Sequence, residues 1–333
     1  MPEYPWLRHL SPTSMTMLPP LPTPPRRILV GASDAAAVAA RIATARPDLE
    51  LRAIPHPQVT EADLAWAECY VGFRRPTVVT TGAVRWVHST GAGVDPWLAP
   101  GALSASILLT RSPQSFGPPI AEWALARMLA FTQALPALAT AQGEVRWAEP
   151  PVRPLAGTRA LIVGTGEIGR AIARVLTPLG VDVIGVSRSG TATSELFATV
   201  HQTSALAELV PHCDWLIVVL PDTPETRGLI SRDLLARCRG AVLLNAGRGS
   251  AVEESAIPQA LEAGCLRGAA LDVFVSEPLP PDSPLWRDPR VMISPHCSGL
   301  TTVEGAADGF LACLASIERG ERPRWAIDRA RGY

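Results

Sequence analysis

The stretch that decides the fold is Arg159-Ala160-Leu161-Ile162-Val163-Gly164-Thr165-Gly166-Glu167-Ile168-Gly169, followed by a helical pattern from 168 to 179 and a second apolar run over 181–186. A short β-branched run ends on a glycine triplet spaced G-x-G-x-x-G and opens directly into a helix. That is the context in which such glycines carry a dinucleotide. The first permits a tight turn, the second lets the backbone approach a pyrophosphate, and the third lets helix and strand pack closely. The helix then offers its unpaired N–H groups and positive dipole end to the phosphates.

Strand and helix signals alternate on both sides of this stretch. Short apolar runs lie at 27–30, 49–54, 78–81 and 84–89, then at 216–220, 241–244, 269–273 and 291–293. Helical stretches are expected over 34–46, 61–71, 122–142 and 301–318, with Thr60 as an N-cap and Pro136 kinking or dividing the long one. Alternation of this kind predicts parallel sheets covered by helices. Two βα series separated by a long helix predict an α/β protein of two domains. Residues 1–25 hold eight prolines, cannot build a helix or central strand, and read as an extended or disordered tail. A start assigned too early would also account for them, since Met15 and Met17 lie within.

Composition narrows the function. The chain has 333 residues, 47% of them hydrophobic, which is ample for buried cores. All 30 of its basic Lys+Arg residues are Arg, the net charge is −1, and no Arg-rich block stands out, so nucleic acid is not the expected partner. The six Cys are scattered without CxxC or zinc spacing, so no metal site is expected and free thiols point to a reducing cytoplasm. No apolar stretch approaches the roughly 20 residues of a membrane span.

Three later segments each place polar groups just past a predicted strand: Asn245-Ala246-Gly247-Arg248-Gly249, Asp272-Val273-Phe274 running on to Glu277-Pro278-Leu279, and Ser294-Pro295-His296-Cys297-Ser298-Gly299. Open α/β sheets bind ligands at that edge. Singly, Arg248, Glu277 and His296 have ordinary structural explanations; together, downstream of a dinucleotide motif, they read as one catalytic set. At the end of the second strand stand Ser187, Arg188 and Ser189, where an acidic residue would select NAD. Serine and arginine can hydrogen-bond and pair with a 2′-phosphate, so NADP(H) is the expected cofactor, with NAD(H) the alternative if Arg188 is only a solvated loop cation.

With these motifs in this order, the chain from residue 26 onward resembles the D-isomer-specific 2-hydroxyacid dehydrogenases. It is nearest the glyoxylate/hydroxypyruvate reductase branch, judged by the run from Glu277 to Trp286 and Ser187-Arg188-Ser189. The resemblance implies a Rossmann-type dinucleotide-binding domain, residues 115–296, inserted in a flavodoxin-like substrate-binding domain, residues 26–114 and 297–333. It implies NADPH-preferring, reversible reduction of a small 2-keto acid to the D-2-hydroxy acid. Arg248 would hold the substrate carboxylate and polarise the keto oxygen, His296 would be the acid/base, and Glu277 its partner. Gly91, Ala92 and Gly93 would receive the carboxylate on their amides. Gly164, Gly166, Glu167, Ile168, Gly169, Ser187, Arg188, Ser189, Leu220, Pro221, Thr226, Ala246, Arg248, Asp272, His296 and Gly299 would line the cofactor, Asp272 orienting the nicotinamide amide. Homodimers are implied as well, the long helix after Pro119 packing on the partner, with Trp147 either reaching the partner's site or simply packing. Likewise His88 either touches substrate or is a buried strand-end histidine. Formate dehydrogenases of the superfamily carry glutamine where Glu277 stands, and phosphite dehydrogenases need a lysine this chain lacks. The competing reading is a dinucleotide-sensing, corepressor-like protein with little turnover.

Overall fold

The structure is a computed structural model describing residues 19–76, 82–191 and 194–332. The chain divides into two compact units, one running to Ser115 and resuming at Thr301, the other spanning Phe116–Leu300.

In the first unit β1 (Arg27–Val30), α1 (Ala35–Ala45), β2 (Glu50–Ala53), α2 (Glu61–Trp66), β3 (Cys69–Val71), β4 (Trp86–Ser89), α3 (Asp95–Leu98) and β5 (Leu108–Arg111) follow in turn. All pairings are parallel and the order is β2-β1-β3-β4-β5, the flavodoxin-like arrangement. Thr60 caps α2 with a complete capping box, accepting from the Asp63 backbone while Asp63 accepts from that of Thr60. That helix is shorter than the expected 61–71. It stops at Trp66 because Cys69-Tyr70-Val71, all fully buried, are needed as the strand between β1 and β4. The strand expected at 78–81 lies outside the described residues, as do residues 1–18 of the expected tail. Residues 19–25 have no regular structure but are docked: the Pro19 carbonyl accepts from Arg322 (2.6 Å), and Leu21 packs on the core.

The second unit opens with α4 (Gly117–Thr132) and α5 (Leu135–Gly143). The long helix divides as expected, with Ala134 in left-handed backbone (φ 50°) and Pro136 in the first turn of α5, where no N–H is required of it. Then come β6 (Arg159–Val163), α6 (Glu167–Leu176), β7 (Asp182–Ser187), β8 (Thr199–Gln202), α7 (Leu206–Leu209), β9 (Trp215–Val218), α8 (Arg232–Leu235), β10 (Ala241–Asn245), α9 (Ile257–Glu262), β11 (Leu266–Leu271) and β12 (Val291–Ile293). The order β12-β11-β10-β9-β6-β7-β8, all parallel, is that of a dinucleotide-binding fold with its strand order reversing at β6. Strands β9 and β10 are buried throughout, which explains their unbroken apolar runs.

Residues 297–300, which sequence places in the outer domain, stay with the second unit. Cys297 and Ser298 donate their amides to Asp272, and Gly299 lies so close to Phe116 and Ile120 that a Cβ would crowd both. The chain then returns to the first unit as α10 (Val303–Glu318), which packs on α1 and puts Phe310 in that core, stacked on Trp86.

Candidate active site

The glycine motif sits at the carboxyl end of β6, where strand order reverses. Gly164 takes φ +112°, a conformation open to glycine and strained for any other residue. A Cβ on Gly169 would collide with the Gly164 carbonyl, so helix and turn pack as tightly as the motif requires. At Gly166 a Cβ would meet nothing within 4 Å. That residue is the N-cap of α6 and supplies no side-chain cap, so the first amides of a ten-residue helix face open space. This is a cradle for a pyrophosphate.

The other expected cofactor residues cluster at the same edge. Ser187 ends β7 and accepts from the Gly190 amide (3.1 Å), which shapes the turn that exposes Arg188 and Ser189. Leu220 and Pro221 follow β9. Thr226, expected to line the ligand, spends its hydroxyl on the loop itself, donating to the Pro221 carbonyl (2.6 Å) and accepting from the Thr223 amide (2.9 Å).

Arg248 lies past β10 beyond buried Ala246, its backbone carbonyl held by Asn245 Nδ2 (3.1 Å). Next to it Gly249 leaves no room for a Cβ against the Phe274 backbone. Asp272, past β11, is fully buried. Its Oδ1 accepts from the Ser294 hydroxyl (2.6 Å) and the Cys297 amide (3.0 Å), and its Oδ2 from the Ser298 amide (2.9 Å). Its carboxylate therefore organises the loop that carries His296. Trp123 adds a further link, donating its indole N–H to Ser294 Oγ (2.9 Å). Sequence reasoning missed Trp123 and gave Ser294 no role, because their partners lie 171 and 22 residues away.

His296 has left-handed backbone (φ 51°), stabilised by its amide donating to the carbonyls of Asp272 (2.8 Å) and Ser294 (3.1 Å). Its Nδ1 bonds Glu277 Oε2 (2.8 Å), while Glu277 Oε1 accepts from the Phe274 amide (3.0 Å). The carboxylate is thus fixed at both oxygens and fixes the imidazole in turn. Among the described residues Nε2 meets no hydrogen-bond partner, and the ring is half exposed. An oriented imidazole with one nitrogen on a carboxylate and the other open is built for proton exchange with a ligand.

The first unit holds the 91–93 loop. Every carbonyl in it is engaged: Gly91 accepts from the Ser112 amide (3.2 Å), Ala92 from Arg111 Nη1 (2.8 Å), and Gly93 from the Ser89 hydroxyl (3.1 Å). Among the described residues the amides of Ala92 and Gly93 donate to nothing. With its carbonyls engaged, the loop keeps two backbone N–H donors available to an anion. His88 belongs to the structure behind it. It is fully buried, with Nδ1 on Thr110 Oγ1 (2.7 Å) and Nε2 on Ser112 Oγ (2.8 Å), so it is the strand-end histidine and not a substrate contact. Burial drives its pKa down to about 3, keeping the ring neutral.

Residues 125–298 match the model of the D-isomer specific 2-hydroxyacid dehydrogenase NAD binding domain. The chain is 34% identical over 261 residues to glyoxylate/hydroxypyruvate reductase A of Serratia proteamaculans, covering 76% of this chain and 82% of that one. The chain belongs to the D-isomer-specific 2-hydroxyacid dehydrogenase family. It is an NAD(P)-dependent oxidoreductase. Among solved structures it is similar to a family member from Xanthobacter autotrophicus in complex with NADPH and MES (TM-score 0.83, 30% identity, covering 93% of this chain and 100% of that one). It is also similar to an NADPH-dependent glyoxylate/hydroxypyruvate reductase from Sinorhizobium meliloti in complex with NADP and sulfate (TM-score 0.78, 27% identity, covering 92% and 99%).

Proposed function

We propose that this dehydrogenase is an NADPH-preferring reductase of small 2-keto acids of the glyoxylate or hydroxypyruvate kind, yielding the D-2-hydroxy acid. The observation that carries the reading is the His296–Glu277 pair with its outward Nε2, on a loop fixed by Asp272. Residues 164–169 would hold the dinucleotide, which would supply the hydride when bound. Arg248 takes the substrate carboxylate and stabilises the charge that develops on the keto oxygen, a task suited to its planar fork. His296, kept in register by Glu277, gives that oxygen its proton. In the first unit the amides of Ala92 and Gly93 are assigned to the substrate carboxylate. Asp272 supports this chemistry as the anchor of the catalytic loop. The absence of an acidic residue at Ser187, together with exposed Arg188, favours a 2′-phosphate, and the NADP-bound relatives support the same choice.

We further assign the chain to cytoplasmic homodimers. Val145 (94% exposed) and Trp147 (91%) stand out from the segment after α5, an apolar surface that suits burial against a second copy. The six cysteines are free and four of them buried, which suits a reducing compartment. Among the described residues no helix is long and apolar enough to cross a membrane.

The test is initial-rate measurement of NADPH and NADH oxidation with glyoxylate, hydroxypyruvate and pyruvate, on wild type, His296→Ala and Arg188→Glu. Turnover that falls at least 100-fold in His296→Ala with dinucleotide affinity retained supports the acid role. Arg188→Glu is expected to lose the NADPH preference. Tight dinucleotide binding without turnover of any keto acid would move the protein to the sensor class.

A further inference from the structure

Arg248 owes its place to more than the strand it follows. The glycines on either side of it are both pinned: a Cβ on Gly247 would meet the Leu220 backbone, and one on Gly249 would meet that of Phe274. The turn is thus wedged between the segments that follow β9 and β11. Across it the Asn245 side chain holds both ends, accepting from the Gly247 amide (3.2 Å) and donating to the Arg248 carbonyl (3.1 Å).

A second set of contacts ties the same turn sideways. The Ser250 carbonyl accepts from the Gly228 amide (2.8 Å), and its hydroxyl donates to Asp222 Oδ1 (2.8 Å), a residue of the loop after β9 and 28 positions away in the chain. Asp222 is held in its turn. Arg227 donates Nε to Oδ1 (2.7 Å) and Nη2 to Oδ2 (3.0 Å). Arg227, the Ser250 hydroxyl and the nearby charge of Arg248 together hold the Asp222 carboxyl below the usual carboxylate range, against the cost of its partial burial. The charges are divided by depth: Arg227 is mostly exposed and Asp222 mostly covered. With Arg227 on both its oxygens, the carboxylate anchors Ser250 without offsetting the full charge of Arg248.

We propose that Asp222 is a positioning residue: through Ser250 it fixes the turn that carries Arg248, and so sets the affinity for the carboxylate of the keto acid. The inference rests on the role given to Arg248 above and deepens it. An arginine correctly placed in only part of the population weakens apparent binding by that fraction, whereas the bound complex is formed with the arginine in place. Loss of Asp222 therefore appears in KM rather than in kcat.

The experiment compares wild type with Asp222→Leu, which removes every one of these bonds, Ser250→Ala, which removes one and spares the ion pair, and Ser250→Thr, which keeps the hydroxyl. Steady-state rates are taken at saturating NADPH with whichever of glyoxylate, hydroxypyruvate and pyruvate is turned over fastest. KM rises about tenfold in Asp222→Leu and about fivefold in Ser250→Ala, with kcat within about twofold in both and Ser250→Thr close to wild type. The NADPH Kd, from fluorescence titration, stays within about twofold in all of them. Hydrogen exchange reads the same turn without turnover, because the Ala251 and Val252 amides donate to the carbonyls of Arg248 (3.1 Å) and Gly249 (3.2 Å). Their protection falls about tenfold in Asp222→Leu and less in Ser250→Ala. An unchanged KM, an equal loss in Ser250→Thr, or a loss carried by the NADPH Kd would overturn the positioning role and leave the reaction intact. If wild type turns over no keto acid, the reaction reading fails and exchange alone decides: protection at Ala251 and Val252 unchanged by Asp222→Leu and Ser250→Ala overturns the positioning role.

Discussion

Replacing Asp272 by Asn changes the shape of the buried side chain very little but removes its charge and one acceptor oxygen. Three donors converge on the carboxylate, the Ser294 hydroxyl and the amides of Cys297 and Ser298. With the amide oxygen at the Oδ1 position, two bonds survive as neutral ones, each weaker by about 1 kcal/mol than its charge-assisted counterpart. The new NH2 then faces the Ser298 N–H, and an unsatisfied buried donor costs about 2 kcal/mol. The sum is about 4 kcal/mol, or about a thousandfold in the opening equilibrium of the 294–298 loop. Turning the amide over strands two donors instead of one and costs more. Hydrogen exchange is the direct assay, since the donors include two of the amides that would be read. Protection at Cys297 and Ser298 should fall by two to three orders of magnitude, up to the limit set by global unfolding. A change below tenfold would refute the claim that this carboxylate holds the catalytic loop. Ser294→Ala, which removes one donor and the Trp123 link, should show a smaller loss at the same amides.

Gly166→Ala should leave the thermal midpoint nearly unchanged, because a Cβ there meets nothing, while raising the dinucleotide Kd about tenfold; Gly169→Ala should lower the midpoint by several degrees, because its Cβ meets the Gly164 carbonyl. His88 is neutral in the folded chain and regains an ordinary pKa when unfolded, so its contribution is complete above pH 6.5 and declines as pH falls from there toward about 3. By pH 5 the loss is about 2 kcal/mol, and urea titrations of wild type against His88→Gln should show the variant less sensitive over that range. Arg111→Met frees the Ala92 carbonyl and should raise KM for the keto acid about tenfold with a smaller effect on kcat, as steady-state kinetics would show.

The parts of the site written in contiguous motifs were legible in the sequence. Gly164 to Gly169 could be placed because strand, turn and helix stand side by side in the chain, and Glu277 and His296 because each follows a strand. Less legible were features decided by distant partners. Residues 69–71 continue a helical pattern locally, and only their burial between β1 and β4 makes them a strand. Strand β8 is polar and partly exposed, as an edge strand can be, so it gave no apolar run to read. The resemblance placed Asp272 and Thr226 at the cofactor; what it did not show is that Asp272 gathers three donors and that the Thr226 hydroxyl closes its own loop.

The place of α10 in the chain has a consequence for biosynthesis. On the ribosome the strands of the first unit emerge before the second unit, yet the helix that brings Phe310 onto Trp86 follows it. The second unit is one unbroken segment and can fold while its neighbour still waits with an uncovered apolar sheet face. The first domain begun is therefore the last finished. A chain cut short and released near residue 300 would present that face to chaperones or to other chains, whereas every strand of its dinucleotide fold would be present.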